Sequence, residues 1–203
     1  MKRTVIICTY MFIFMSLNIS LSANEIDEKR AHYLHVLAGS NYMKGNYKEA
    51  VKGFKLAKKY GEKEANYYLS MCYLLGHGVN KNLKKALYYA EEGTKVGDTL
   101  SILTLAQYYN RGTMGVTDYS KAVKLYKKIE DKSLTALKDL GMMYVYGGYG
   151  IKPDHTKSYK YWHKCATNKA IKAKDSMGQE LAEDSACQSN LDVLCSTSPE
   201  VCR

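Results

Sequence analysis

Apolar and polar positions follow a helical period along most of this chain, and the pattern breaks at short glycine-rich intervals. Between Ala65 and Gly97 the unit is plainest. Ala65, Leu69 and Tyr73 fall at i, i+4 and i+8, on one face of a helix. Gly76 stops that helix, because glycine enters the left-handed C-terminal position without a Cβ penalty. Gly78 and Val79 complete a turn, and Asn82 is placed to cap the next helix by accepting from its free N–H groups. Ala86, Tyr89, Ala90 and Gly93 form the seam of that second helix, with small residues that let two backbones approach. The unit recurs. Ala50, Ala86, Ala122 and Ser158 lie 36 residues apart, and Tyr42, Tyr73, Tyr109 and Tyr144 hold a matching earlier slot at intervals of 31, 36 and 35. A fixed period of this size marks a repeat array.

The copies keep the same logic. In the third, Ser101, Leu105 and Tyr109 precede Gly112, then Gly115-Val116, with Asp118 as cap before Lys121-Ala122. In the fourth, Ala136, Leu140-Gly141 and Tyr144 precede Gly147, then Gly150-Ile151, with Asp154 as cap before Lys157-Ser158. The first copy has a shorter loop: Ala38-Gly39, Tyr42 and Gly45 lead straight to Asn46, with Glu49 three residues later in the spacing of a capping box. One such helix pair cannot bury its own apolar stripe, whereas stacked pairs can. The pattern therefore predicts an all-α fold, an α/α solenoid over residues 24–186, with pairs at about 31–63, 64–97, 98–131 and 132–168. Residues 169–186 carry Ala170, Ile171, Ala173, Met177, Leu181 and Ala182 and predict a C-terminal capping helix, followed by a cysteine-rich tail at 187–203.

These residues resemble the Sel-1-like repeat family, a relative of the tetratricopeptide repeat. The second copy fits its pattern from Ala65 to Gly97, with Ser70 in a glycine slot and Tyr89-Ala90 in a Trp-Tyr slot. The fourth fits from Ala136 to Ala166, with Tyr161-Trp162 in that slot. The third shifts one residue across its Gly-Val, and the first looks closer to a tetratricopeptide unit. The resemblance spans about residues 31–168. It implies a helical scaffold for protein–protein contact, with no catalytic residues, cofactor or metal. It also implies that the first helix of each pair lines an inner, concave surface. Lys44, Tyr67, Met71 and Gln107 are then candidate partner-binding residues, together with Arg111, Met142 and Tyr146. Val36, Ser40, Met43, Leu103, Asn110 and Lys138 share that surface, while Leu74, Leu75 and Val145 are equally placed to pack between helices. Methionine adapts its shape to a visiting chain, so an amphipathic helix or extended peptide is the expected ligand.

The N-terminus alters the setting. Residues 1–22 read as a secretory signal, with Lys2 and Arg3, an apolar run from Val5 to Leu17, and small residues at Ser20 and Ser22; cleavage after Ala23 is a near alternative. An uncleaved anchor competes with this reading, although the run is near the lower limit for a span and carries Thr9, Ser16 and Asn18. No later stretch approaches that length, so a periplasmic or secreted, monomeric protein is expected. The formal net charge is +10, of which Lys2 and Arg3 leave with the leader. A basic surface suits nucleic acid, anionic lipid or acidic protein, and export ranks nucleic acid last. Lysines such as Lys52, Lys55, Lys58 and Lys59 otherwise read as a solvated face. The 2 prolines agree with a helical array, since proline breaks helix interiors.

Of the cysteines that remain after Cys8 leaves with the signal, three crowd into the final segment, which in an exported protein favours disulfides. Cys165 stands where the repeat pattern wants alanine. The first choice pairs Cys165 with Cys187 and Cys195 with Cys202 and leaves Cys72 free, with other connectivities open. The tail spacing does not suit zinc. His32 and His35 stand at i and i+3 without a clear third ligand and read as exposed helix histidines. His155 and His163 flank no free acid, since Asp154 serves as a cap. Gly147-Gly148-Tyr149-Gly150 lacks the strand and the Lys-Ser/Thr of a phosphate loop. Trp162, the sole tryptophan, fills a core slot. Two functions stay in view: an exported scaffold that binds a partner protein on the concave face, and a periplasmic immunity protein that blocks a delivered toxin such as a secreted lipase or phospholipase. A hydrolase ranks last, because no nucleophile is placed beside a base.

Overall fold

The computed structural model describes residues 24–115, 117–148, 150–168 and 183–202. The signal expected at 1–22, and all but the end of the cap expected at 169–186, lie outside them. The described residues form helices α1 (residues 24–43), α2 (Tyr47–Lys59), α3 (Ala65–Leu75), α4 (Leu83–Lys95), α5 (Thr99–Arg111), α6 (Tyr119–Lys128), α7 (Leu134–Tyr146), α8 (His155–Thr167) and α9 (Glu183–Thr197), with a 3-10 turn at Pro199–Val201. Extended backbone pairs among them only at the bridge between Gly148 and Ile151. The cysteine-rich segment is thus largely helical. Two compact units divide the chain between Ala86 and Leu87, inside α4.

The first unit holds α1 to α3 and the first turn of α4. Its core is built from Ala31, Ala38, Ala50, Val51, Phe54, Ala57, Leu69 and Cys72, all buried. Small residues bring α1 and α2 together: a Cβ added at Gly53 would stand 2.7 Å from that of Ala38. Phe54 fills the space beyond and stacks on Tyr68 at 4.6 Å between ring centroids. Cys72 is a free, buried thiol, and burial pushes its pKa up to about 11, far from a reactive thiolate.

The expected capping box at Asn46 is not formed. Asn46 sits at φ −78°, ψ 58° and its side chain caps nothing. The loop is too short to give it the extended geometry of an N-cap, and its N–H returns to the carbonyl of Asn41 instead (2.9 Å). Glu49 reaches out to Lys52 at 3.7 Å.

From α3 onward a different turn recurs. Gly76 takes φ +81° and its N–H closes on the Cys72 carbonyl. The N–H of Asn82 then donates to the carbonyl of Tyr73 (2.8 Å), and Asn82 Oδ1 accepts from the N–H of Lys85 (2.9 Å). The Lys85 ammonium lies 5.2 Å above the Tyr73 ring. In the second unit Asp118 and Asp154 repeat each step, donating to Tyr109 (3.0 Å) and Tyr144 (2.7 Å) and accepting from Lys121 and Lys157, both at 2.9 Å. Those lysines stand 5.1 and 5.4 Å over their tyrosine rings. Each such cation–π contact is worth about 0.5–1 kcal/mol at an exposed site.

The second unit packs α5 on α6, α7 on both α6 and α8, and α9 on α7 and α8. Its tightest point is Gly141, where an added Cβ would fall inside the Trp162 indole. That indole donates to the carbonyl of Lys138 (3.1 Å), so the tryptophan is satisfied as well as buried. Leu191 and Leu194 of α9 close over Trp162, with Val145, Tyr159, Ala166 and Val201 around them. A disulfide joins Cys165 of α8 to Cys187 of α9 beside Leu134 and Leu137, and a second joins Cys195 to Cys202. His155 Nδ1 and the buried Ser198 hydroxyl share a hydrogen bond of 2.8 Å that ties the chain end to the start of α8.

Two expectations follow. Gly141→Ala overpacks the Trp162 contact and costs about 1–3 kcal/mol, whereas Gly39→Ala, with nothing within 4 Å of its added Cβ, stabilises by about 0.5–1 kcal/mol; urea midpoints of the two variants should move in opposite directions. Replacing Cys165 and Cys187 by serine opens a link of sequence separation 22 and should cost about 3 kcal/mol, read as an earlier urea transition of Trp162 fluorescence.

Candidate partner-binding surface

From α3 onward the first helices of the pairs are anchored from below and carry few charges. α3 has no charged side chain, α5 has only Arg111, and α7 has only Lys138 and Asp139. Their buried faces are set by the repeat: Ala65, Leu69 and Cys72 in α3, Ile102, Leu105 and Ala106 in α5, and Leu137, Leu140 and Tyr144 in α7. What remains outward is the candidate surface.

In the first unit Lys44 is exposed at the end of α1, next to Met43, which is 78% exposed. Tyr67, Met71 and Leu74 of α3 are half-buried, and Leu75 is 49% exposed rather than packed between helices. Tyr67 stands edge-on to Tyr68 at 5.0 Å, which stacks on Phe54, so the surface ring rests on the core. Beneath it lies an aromatic group of Tyr42, Tyr47 and His77. The Tyr42 hydroxyl and His77 Nδ1 share a hydrogen bond of 2.9 Å, and Tyr47 stacks on the imidazole at 4.1 Å. Burial pushes the Tyr42 phenol up to about 12, so it stays neutral throughout the physiological range.

His35 departs from its expectation. It is not an exposed helix histidine: its side chain is 13% exposed, edge-on to Tyr68 at 5.3 Å, with Nε2 3.5 Å from Glu64. His32 is exposed, so the two point to different surroundings. Among the described residues no three of His, Cys, Asp and Glu gather as metal ligands would.

In the second unit Gln107 and Asn110 are half-buried and Arg111 is exposed. Asn110 is drawn into the structure: its amide donates to the Tyr126 hydroxyl (3.5 Å), which donates to Asp139 (2.8 Å). On α7, Met142 is 38% and Tyr146 74% exposed, one turn apart on the same side. Val145 is different, because Trp162, Leu191 and Leu194 pack against it. The structure therefore brings Arg111 to one helix end and Met142 with Tyr146 to one helix face, and it removes Val145. Exposed apolar residues absent from the expected set include Ile26, Tyr33 and Leu37 on α1, along with Leu56, Leu83, Tyr88, Val96 and Val193 elsewhere. The spacing of those on α1, opposite buried Ala31 and Ala38, is a signal present in the helical pattern.

Three spans of the chain, residues 63–98, 102–132 and 135–168, match the Sel1 repeat model. No curated protein matches the sequence. Among solved structures, the uropathogenic Escherichia coli protective antigen c5321, described as displaying an SLR fold, is similar with a TM-score of 0.67 at 17% identity, over 83% of this chain and 34% of that one. A Sel1 repeat protein from Oxalobacter formigenes is similar with a TM-score of 0.58 at 27% identity, over 73% of this chain and 63% of that one. The chain thus spans about a third of the first relative and under two thirds of the second. The matched spans begin and end with the helix pairs that share the Tyr–cap–Lys turn, and on that ground the chain belongs to the Sel1 repeat family.

Proposed function

We propose that this protein is an exported scaffold that holds a partner protein or peptide against the first helices of its repeats. Sel1 repeat proteins are generally protein-interaction scaffolds rather than enzymes. The observation that carries the reading is the pair Met142 and Tyr146, exposed together on a helix whose other face is locked by Leu137, Leu140 and Trp162. An adaptable thioether beside an exposed phenol, on a rigid support, is the chemistry of an anchor for an apolar side chain. In the first unit Met71 and Tyr67 repeat the combination. Two disulfides suggest an oxidising compartment, which supports the secretory reading of residues 1–22 and a periplasmic or secreted location. No described helix is long and apolar enough to cross a membrane.

The test is capture from envelope extract by the immobilised protein. A partner retained by the parent chain should be lost, with at least about a tenfold fall in affinity, from the double variant Met71→Asp and Met142→Asp, while far-ultraviolet circular dichroism stays unchanged. Undiminished capture by a folded double variant would remove the first helices as the binding surface.

A further inference from the structure

We infer that the second helices of the repeats form an attachment surface for an anionic phospholipid membrane, centred on Lys124, Lys127 and Lys128 of α6 and Lys160 of α8. This does not rest on the partner reading above, since it uses other helices and none of the same residues.

In the second unit charge is sorted by helix order. Its first helices, α5 and α7, carry only Arg111, Lys138 and Asp139. α6 carries four lysines and no acid, and α8 three lysines and no acid. By itself, α2 of the first unit follows the same rule, with five lysines against Glu49. In α4 three lysines are offset by Glu91 and Glu92. Within the second unit the lysines divide into two sets. Lys121 and Lys157 turn back to their cap carboxylates at 3.2 and 2.8 Å, and Lys164 bridges Glu130 (3.0 Å) and Asp131 (2.7 Å). Lys124, Lys127, Lys128 and Lys160 are exposed and make no ion pair among the described residues.

These four are in register. Lys124, Lys127 and Lys128 stand at i, i+3 and i+4, one face of α6. Lys160 follows Lys124 by the repeat interval of 36 and takes the same place on α8. The Lys164–Glu130 bridge ties α8 to the residues just past the C-terminal end of α6. Exposed His163 continues the α8 row in the register of Lys127.

The residue type selects the partner. Every strong cation on α6 and α8 is lysine and none is arginine. Lysine is a hydrated point charge on a flexible stem. Protein interfaces are depleted in it and draw on arginine forks and aromatic anchors instead. A row of lysines without ion pairs matches diffuse attraction to a plane of negative charge, and basic clusters bind anionic leaflets in this way. With no membrane-crossing helix among the described residues, such attachment is peripheral.

The experiment is sedimentation of the protein, purified from the exported fraction, with vesicles. It should co-sediment with phosphatidylglycerol–phosphatidylcholine vesicles, be released by high salt, and stay in solution with phosphatidylcholine alone. The variant K124E/K127E/K128E/K160E should lose roughly 100-fold or more in partitioning with its helical circular dichroism intact. A control with the same charge change elsewhere, K29E/K63E/K81E/K152E, should keep most of the binding. Equal binding to neutral vesicles, a quadruple variant that binds like the parent, or a control that loses as much would overturn the proposal. So would failure to bind anionic vesicles together with salt-sensitive retention on polyglutamate, which would assign the surface to an acidic protein.

Discussion

One backbone hydrogen bond sets the geometry of each repeated helix pair: the N–H of the cap residue donates to the carbonyl of the tyrosine near the end of the preceding helix. It joins Asn82 to Tyr73, Asp118 to Tyr109 and Asp154 to Tyr144. The bond satisfies an orphan carbonyl of one helix and fixes the start of the next, which then offers its own capping oxygen. The lysine three residues on donates to that oxygen through its backbone and covers the tyrosine ring with its ammonium. Tyrosine, cap and Lys-Ala recur together because each occupies a defined place around this one contact. The fourth copy has an extra residue between tyrosine and cap, and the Gly148–Ile151 bridge takes it up without moving the bond. The first pair has no such bond, and the matched family spans begin after it.

With the turn fixed, side-chain size decides how closely two helices lie. At the slot of Ser70, Ala106 and Gly141 the first helix stays small. Ala90, Tyr126 and Trp162 stand at equal intervals on the second helices, and the smallest first-helix residue meets the largest of them. In the second pair Ser70 instead reaches the carbonyl of Ala86 with its hydroxyl (2.7 Å). Interiors pack to crystal density, so a volume removed at one position must be filled from the other side. The same demand explains α9: Trp162 and Val145 would lie bare at the end of the array, and Leu191 and Leu194 cover them while a disulfide secures the helix.

The helical repeat was legible because backbone geometry restricts residue type at its key positions. A left-handed helix end calls for glycine, a cap for Asn or Asp, and a close crossing for alanine, and these choices survive in a single sequence. The side chains of the candidate surface are less legible, because their fate depends on neighbours distant in the chain. Val145, one residue past its repeat tyrosine like Leu74, is covered by α9, an element distant in the chain. His35 reads as a surface histidine until α3 brings Tyr68 and Glu64 against it. Asn46 has the composition of a capping box, and only its dihedral angles show that the short loop denies it the role.

The surplus of positive charge follows from the same turn. Acids in this chain are drawn to caps: Asp98, Asp118 and Asp154 each accept an N–H at the start of a helix. The backbone N–H of Lys121 chiefly lowers the Asp118 carboxyl below its usual range, and the side chain of Lys157 chiefly does so for Asp154. Both therefore stay ionised at neutral pH, and the cap interactions weaken only as pH falls through those lowered values. Asp118 and Asp154 form their close ion pairs with the lysine of their own first turn, at i+3, and Lys124 acts on Asp118 only as a more distant charge. Lysines one turn further along α6 and α8 form no ion pair with these caps. In the second unit, first helices with few charges and second helices without acids thus give two kinds of surface, neutral and adaptable on α5 and α7, basic and diffuse on α6 and α8.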